Sequence, residues 1–248
     1  MNAQADKLAI LVSSCDKYAD VWDPFFELFF RNWPDCPFDV FLLANHKSFP
    51  DPRINTISVG DDLDWSSTFR KALRQIPNRY LLVLMEDYLL TQKADTGVLV
   101  QLVEFIEEQN AGYLRIYPCP GPSRVTTQAA GLEIGEIDRH ESYRCSLQAA
   151  LWDKQILDDL LVDGESAWDF ELKGSKRSGK MEKPFLSIAR SAMDKLPFTY
   201  FCTGVVKGYW LKEAVALCEQ QGIAVNTVAR PVEPWYIRLK RTMLSGVL

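Results

Sequence analysis

The chain has 248 residues, and 47% of them are hydrophobic, which is enough for a large buried core and excludes a disordered protein. Its formal net charge of -5 disfavours a nucleic-acid partner, since proteins that bind by neutralising phosphates are usually strongly basic. The six cysteines show no C-x-x-C spacing, and the residues before Leu8 are polar. These features predict reduced thiols, no secretory signal and a cytoplasmic location.

The first half of the chain alternates short apolar runs with segments of helical spacing, which indicates an α/β sheet flanked by helices. Beyond about residue 122 this alternation is less regular. In chain order the predicted elements are strand 8–12, helix 21–33, strands 38–44 and 54–59, helix 65–76, strand 80–90, helix 95–109, strand 113–117, a hairpin within 123–143, strand 144–151, helix 154–161, a short helix from residue 167, strand 199–206 and helix 210–221.

The most informative of these segments is the strand 80–90, a continuous apolar run that contains two adjacent carboxylates, Glu86 and Asp87. Such a run is typical of a strand buried on both faces. We expect the two acids at its C-terminal end, where open α/β sheets bind ligands. A carboxylate pair there can hold a hard divalent cation against nucleotide phosphates. In the alternative, one acid caps the next helix or pairs with Arg79.

Three features in this order resemble the GT-A nucleotide-sugar glycosyltransferases: a first strand that ends in a loop with serine and aspartate, a strand with a Glu-Asp pair, and a later Trp-Asp-Phe-Glu-Leu segment at 168–172. The chain is more closely similar to the bacterial enzymes of that fold encoded with capsule and lipopolysaccharide assembly. The resemblance covers about residues 8–215 and implies a GT-A-like three-layer α/β/α fold with a mixed, mostly parallel central sheet. It also implies one continuous domain, with a nucleotide-sugar-binding half at 1–117 and an acceptor-binding half with a C-terminal extension at 118–248.

The resemblance implies transfer of a sugar from a nucleotide-diphosphate donor to a hydroxyl of a surface glycan or lipid-linked oligosaccharide, with inversion. In that fold an Asp-x-Asp motif binds a divalent metal, and this chain has Glu86-Asp87 at the corresponding place. Asp87, together with Glu86, is then the expected ligand of Mg²⁺ or Mn²⁺. The alternatives are a non-catalytic nucleotide or sugar binder and a nucleotidyltransferase, which is disfavoured because residues 13–18 contain no glycine for a phosphate loop.

By the same resemblance, the segment around residue 169 supplies the catalytic base, which removes the proton of the acceptor hydroxyl. Asp169 takes the position of the base and Glu171 follows two residues later. In the alternative both acids lie in the first turn of a helix and complement its dipole. Trp168 is expected to form a platform for the acceptor sugar or, in the alternative, to be buried. Gln148 is a further expected contact with the acceptor.

The nucleotide is expected at the ends of the first and third strands and beside the second helix. The residues expected to bind it are Ser13, Ser14, Asp16, Tyr18, Asp62 and Arg70. The first four follow strand one, although serine and aspartate are also common in ordinary turns. Asp62 belongs to an acidic loop that in the alternative is only solvated. Arg70 would neutralise the diphosphate or, in the alternative, belong to an exposed basic helix face.

Two basic segments predict a peripheral membrane contact. The stretch 173–180 is expected to be flexible, and the tail 234–244 combines aromatic residues with three cations. Each Lys or Arg near anionic lipid headgroups contributes about 1 kcal/mol, which would suit a lipid-linked acceptor. In the alternative the two segments only favour solubility. No stretch approaches the roughly 20 apolar residues that span a bilayer.

Overall fold

The computed structural model describes residues 7–61 and 63–237. Its strands are β1 (Leu8–Ser13), β2 (Asp39–Ala44), β3 (Ile54–Ser58), β4 (Tyr80–Met85), β5 (Leu89–Leu90), β6 (Tyr113–Arg115), β7 (Arg124–Ala129), β8 (Leu132–Glu136), β9 (Ala150–Asp153), β10 (Phe185–Ile188), β11 (Tyr200–Phe201), β12 (Val205–Val206) and β13 (Tyr209–Trp210). Its α-helices are α1 (Ala19–Asn32), α2 (Trp65–Leu73), α3 (Thr96–Glu108), α4 (Lys154–Leu160), α5 (Ala167–Asp169), α6 (Ser175–Ser178) and α7 (Lys212–Gln220). Asp16–Tyr18 and Arg190–Lys195 are 3₁₀ helices, and Phe170–Gly174 is a π-helix.

A nine-stranded mixed sheet forms the centre of the fold, in the order β3-β2-β1-β4-β9-β6-β10-β8-β7. The first four of these strands are mutually parallel, and β6 is parallel to β10. β9 pairs antiparallel with β4 and β6, and β8 pairs antiparallel with β10 and β7. Within this sheet β8 and β9 therefore run against the other strands, which confirms the predicted mixed, mostly parallel sheet.

Helices cover both faces of the sheet. Along β4, Leu82 and Leu84 pack in an apolar cluster with residues of α1 and α3, whereas Leu81 and Val83 pack in a second cluster with residues of α2 and α4. Successive strand residues point to opposite faces, so β4 has no polar face. Each such side chain contributes on the order of 2 kcal/mol through its burial. The result is the three-layer α/β/α arrangement that the sequence predicts.

The predicted strand 80–90 is interrupted at its two carboxylates. β4 ends at Met85, and the chain turns before β5, which pairs with β11 and not with the central sheet. The turn is stabilised by a hydrogen bond from the N–H of Tyr88 to the carbonyl oxygen of Met85. Glu86 and Asp87 therefore lie just beyond the end of β4, as expected from the sequence.

The second half agrees less closely with the predicted elements. The hairpin predicted within 123–143 is confirmed as β7 and β8, but the strand predicted at 144–151 begins only at β9. Most of the preceding backbone bonds to side chains. The N–H of Cys145 donates to Ser175 Oγ at 3.0 Å, and the N–H of Leu147 donates to Glu171 Oε1 at 2.8 Å.

The stretch 173–180 is ordered, so the prediction of a flexible segment is wrong. It continues from the π-helix into α6, and Ser175 and Ser178 are buried. Lys173 pairs with Asp169, and Arg177 pairs with Glu165. Two of its cations are therefore already neutralised by carboxylates. Of the predicted basic tail, the part beyond residue 237 lies outside the described residues.

Candidate functional site

A cleft of about 520 Å³ opens beyond the C-terminal ends of β1 and β4. It is lined by Ser13, Ser14, Cys15, Tyr18, Leu43, Trp65, Thr68, Met85, Glu86, Asp87, Tyr88, Leu147, Gln148, Ala167, Trp168, Glu171, Cys202, Thr203 and Val205. The lining includes three carboxylates and, within the described part of the chain, no lysine or arginine. The described lining therefore contains acidic side chains and no lysine or arginine to balance them.

Strand pairing explains why these segments meet. Ser13 pairs with Met85 across β1 and β4, so the chain leaves both strands side by side. β9 runs antiparallel to β4, with Ala150 opposite Val83, and this pairing brings residues 147–148 to the same edge. The C-terminal ends of parallel strands are the usual position of ligands in open α/β sheets.

Glu86 is a buried carboxylic acid in the wall of this cleft, only 5% exposed. Burial, followed by the negative charge of Asp87, raises the pKa of Glu86 to about 8. Its Oε2 has no hydrogen-bond partner among the described residues. A buried polar atom without a partner is costly, so this oxygen marks a position that a ligand group or a cation can satisfy.

Asp87 is held by the loop that follows β11. Its Oδ2 accepts hydrogen bonds from Thr203 Oγ1 at 2.8 Å and from the N–H groups of Gly204 and Val205, each at 3.1 Å. Burial raises the pKa of Asp87, and these hydrogen bonds oppose the rise. Because Thr203 and Val205 also line the cleft, the carboxylate stabilises part of the cleft wall. No local pattern in the sequence indicates this structural role.

Glu171 lines the cleft from a different element, the π-helix after α5. Its Oε1 accepts hydrogen bonds from the N–H of Leu147 at 2.8 Å and from Ser146 Oγ at 3.2 Å. Burial raises the pKa of Glu171, although both hydrogen bonds oppose this. π-Helical turns occur frequently at functional sites. The carboxylate is thus fixed in orientation and biased toward accepting a proton.

Asp169 has a different environment from Glu171. It forms a capping box with Ser166 at the start of α5, and its Oδ1 lies 2.8 Å from the Nζ of Lys173. Hydrogen bonds from Lys173 and Ser166 lower the pKa of Asp169 to about 2. Asp169 is not among the residues that line the cleft. Its position therefore corresponds to the alternative considered above, that of an acid in the first turn of a helix.

The two residues expected at the acceptor both line the cleft. Trp168 is 63% exposed, so the alternative of a buried tryptophan is wrong. Gln148 is held by Tyr200, whose hydroxyl donates to Gln148 Oε1 at 2.7 Å. Cys202 Sγ also lies 3.5 Å from this oxygen. The amide nitrogen of Gln148 is the part of the side chain not used in these two contacts.

Three of the residues predicted to bind the nucleotide line the cleft: Ser13 at the end of β1, and Ser14 and Tyr18 beyond it. Tryptophan side chains fix the two serines, since Trp65 Nε1 donates to Ser13 Oγ at 3.2 Å and Trp22 Nε1 donates to Ser14 Oγ at 2.8 Å. Neither hydroxyl donates a hydrogen bond to another of the described residues, so each can donate to a ligand. These contacts give the serines defined orientations at the mouth of β1.

Asp16 does not line the cleft. Its carboxylate accepts hydrogen bonds from the backbone N–H groups of Asn45, His46 and Lys47. Burial opposes ionisation of Asp16, but these backbone hydrogen bonds outweigh it and lower its pKa. The side chain therefore connects the loop after β1 to the loop after β2, and the structure does not place it against a nucleotide in this cleft.

Arg70 also does not line the cleft. It forms ion pairs with Asp158 and Asp163 and donates to the carbonyl oxygen of Leu161. The guanidinium thus joins α2 to the end of α4, and the prediction that it neutralises the diphosphate is not supported by its position. Asp62 lies outside the described residues.

Sequence reasoning missed two residues that shape the site. Trp65 lines the cleft and binds Ser13, although only its place at the start of a helix was visible in the sequence. Arg230 holds Tyr18, with its guanidinium 4.4 Å from the centre of the ring. It lies more than 200 residues further along the chain, so no local pattern indicates the contact.

No helix within residues 7–61 and 63–237 combines the length and the apolar composition required to cross a bilayer. The exposed tryptophan and tyrosine at 235–236 belong to the described part of the predicted tail. Peripheral membrane contact stays a prediction.

Comparison with known proteins supports the fold. No protein-family model matches the chain, and no curated protein does. Among solved structures it is similar to S. aureus TarS 1-349 in complex with UDP-GlcNAc, with 14% identity and a TM-score of 0.50 over 92% of this chain and 68% of that chain. A cytidylyltransferase from Leptospira borgpetersenii is 9% identical, with a TM-score of 0.46 over 92% of this chain and 99% of that chain.

The chain covers 37% of one longer TarS structure and 60% of another. It therefore spans between about a third and three fifths of these two relatives. At such identities the likeness shows the fold alone. The protein has a three-layer α/β/α fold with a mixed, mostly parallel central sheet, similar to that of S. aureus TarS.

Proposed function

We propose that the protein transfers a sugar from a nucleoside-diphosphate donor to a hydroxyl of a surface glycan or a lipid-linked oligosaccharide, with inversion at the anomeric carbon. One observation carries the proposal: Glu171, a fixed carboxylate with a raised pKa, lines the same cleft as Glu86 and Asp87. An inverting sugar transfer needs a base for the acceptor and a means of stabilising the leaving diphosphate.

Glu171 is the base in this proposal. Its hydrogen bonds from Ser146 and Leu147 both end on Oε1, and we assign proton transfer to Oε2. As the acceptor oxygen attacks the anomeric carbon, the bond from that carbon to the diphosphate oxygen breaks and its electron pair goes to the diphosphate. The hydroxyl proton passes to Glu171. A single displacement of this kind inverts the configuration.

The acidic lining supports a divalent cation at the donor. No lysine or arginine lines the described cleft to neutralise a diphosphate beside Glu86 and Asp87. The described residues form no cluster of three or more His, Cys, Asp or Glu that could hold a metal. Mg²⁺ is commonly held by one or two carboxylates together with substrate phosphates, so the residues fit a cation that binds with the diphosphate. When bound, Mg²⁺ or Mn²⁺ would stabilise the negative charge of the leaving group.

The nucleoside would lie against Ser13, Ser14 and Tyr18. The two serine hydroxyls accept from tryptophans and retain protons to donate. Tyr18 offers an aromatic ring held by Arg230. The same acidic lining argues against a nucleotidyltransferase, because a triphosphate would need more positive charge than a diphosphate in this cleft.

Thermal stabilisation by nucleotides tests the proposal, since a ligand that binds only the native state raises the melting temperature. The protein is screened with UDP, CDP, GDP, TDP and their sugars, each with and without Mn²⁺. We expect stabilisation by a nucleotide sugar that is larger with Mn²⁺, followed by sugar transfer to a glycan acceptor. Stabilisation without transfer or donor hydrolysis would indicate the non-catalytic binder. Stabilisation by none of these ligands would contradict the proposal.

A further inference from the structure

Beside the cleft, Tyr143 approaches the exposed indole of Trp168. The ring centres are 6.4 Å apart, and the ring planes meet at 76°. Trp168 lines the cleft, and Glu171 follows it by three residues along the same helical stretch. Both side chains line the same cleft. A ring resting on Trp168 is therefore close to the carboxylate that acts on the acceptor hydroxyl.

The backbone of Tyr143 is strained. Its φ of 56° lies in the left-handed region, which is uncommon for a residue with a bulky side chain. Such a conformation persists only where the surroundings impose it, and it is frequent at ligand clamps. An unstrained residue for this position would be glycine or asparagine. The chain instead places a tyrosine ring here, next to an exposed tryptophan.

Buried hydrogen bonds from Arg115 hold the backbone around Tyr143. Arg115 is fully buried, and its guanidinium donates to the carbonyl oxygens of Tyr143 and Arg144, to that of Pro120 at 2.6 Å, and to the hydroxyl of Tyr113 at 3.0 Å. Within the described residues, the hydrogen bonds of this cation thus end on neutral oxygens. A buried arginine is expensive, and its contacts here stabilise the segment that carries Tyr143.

We propose that Tyr143 and Trp168 form an aromatic corner that binds a neutral pyranose ring of the acceptor, and that Arg115 is the positioning residue that holds Tyr143 in this corner. The inference rests on the proposed sugar transfer and adds an acceptor subsite to it. A pyranose presents C–H groups on its faces and hydroxyls at its rim. Two aromatic rings whose planes meet at a steep angle match that shape. Glu171 lines the cleft together with Trp168.

Tyr143→Asn is the most informative variant, because asparagine tolerates a positive φ and the change removes only the ring. We expect its melting temperature to equal or exceed that of the wild type. We expect its acceptor KM to rise about tenfold, in line with the loss of one aromatic stacking contact, while the donor KM and kcat stay within about twofold. The matched control is Lys207→Asn, which relieves a similar φ of 50° at an exposed residue away from the cleft lining. An unchanged acceptor KM in Tyr143→Asn overturns the proposal.

The role of Arg115 is tested by a double-mutant cycle. If Arg115 acts through Tyr143, Arg115→Lys raises the acceptor KM, and adding Tyr143→Asn to it causes little further rise. Fully additive effects would show that Arg115 does not position the corner. The cycle thereby separates a positioning role from a general contribution to stability, since a smaller folded fraction lowers the apparent kcat and does not raise the acceptor KM selectively over the donor KM.

Saturation-transfer NMR separates failure of this inference from failure of the proposed function. The probes are disaccharides built from glucose, galactose, N-acetylglucosamine and rhamnose. Binding to the wild type that is lost in Tyr143→Asn supports the corner even if no donor is used. Sugar transfer with unaltered saccharide binding in the variant leaves the proposed function intact and overturns the corner. Self-association of the wild type that Tyr143→Asn abolishes, with an unchanged acceptor KM, would identify the aromatic pair as a contact between copies and also overturn it.

Discussion

The guanidinium of Arg230 lies 4.4 Å from the centre of the Tyr18 ring. The same guanidinium bonds both carboxylate oxygens of Asp20 at 2.9 Å and the carbonyl oxygen of Lys17 at 2.8 Å. Arg230 is only 7% exposed, so the ion pair is largely removed from solvent. A segment near the end of the chain therefore fixes the aromatic ring at the mouth of β1.

Arg230→Gln is expected to weaken nucleotide binding. The change leaves Asp20 without its partner, and breaking a buried pair costs about 3 to 5 kcal/mol of stability. Tyr18 then loses its support, so the Kd for the nucleotide should rise even well below the melting temperature. Titration calorimetry at low temperature measures this. Arg53→Gln is the matched control, since Arg53 lies over Phe30 away from the cleft lining; equal Kd values for both variants would contradict the assignment.

Asp87 is expected to have two separable roles: it stabilises the loop at 203–205, and it binds the cation that accompanies the nucleotide. Asp87→Ala removes the acceptor of three hydrogen bonds from the loop at 203–205, and each buried donor left unsatisfied costs about 1 to 3 kcal/mol. Asp87→Asn keeps an acceptor oxygen and should lose less stability. Both variants should lose the extra stabilisation of nucleotide binding by Mn²⁺, because the charge is absent. Thr203→Val, which removes one hydroxyl only, should keep the Mn²⁺ effect.

Glu86→Gln is expected to stabilise the protein at alkaline pH. The folded-state pKa of Glu86, about 8, lies above its ordinary value of 4.5, so the folded state binds the proton more tightly than the unfolded state. Stability is then lost as pH rises from about 4.5 to 8, by on the order of a few kcal/mol. The glutamine of Glu86→Gln does not ionise, so the variant does not lose stability over this pH range. Melting curves of the wild type and the variant should coincide near pH 4 and diverge toward pH 9, and a constant difference would contradict burial of this acid.

For Asp169 we expect the opposite pH dependence of stability. Its folded-state pKa of about 2 lies below its ordinary value, so its contribution to stability is present at neutral pH and is lost as pH falls from about 4 toward 2. Asp169→Asn should melt below the wild type at pH 7, and the gap should close in acid. Lys173→Met should show the same pattern, since Lys173 is the paired cation. A gap that persists at pH 2 would mean that the ion pair does not produce it.

The sequence predicts well those parts of the fold that depend on local pattern. The apolar runs that form β1 and β4 are buried on both faces, and polar residues come at the end of each run, which locates the cleft. The capping role of Asp169 also follows a local pattern. Ser166 stands three residues before Asp169, and this spacing is the signature of a capping box.

The remaining features depend on contacts between distant parts of the chain. Arg70 bonds to Asp158 and Asp163 across the gap between α2 and α4, so its local surroundings as part of a basic helix face gave no indication of its partners. The loop that binds Asp87 follows it by more than 100 residues. Such pairings are set by topology and packing, which a single sequence does not display.

The most direct measurement compares Glu171→Gln with Asp169→Asn in donor binding and in sugar transfer. Loss of the base should lower kcat of Glu171→Gln by between about a hundredfold and ten-thousandfold while the Kd for the nucleotide sugar stays near that of the wild type. Asp169→Asn should keep both kcat and Kd. Full transfer activity in Glu171→Gln, or its loss in Asp169→Asn alone, would contradict the account of this cleft as the site of sugar transfer with Glu171 as its base.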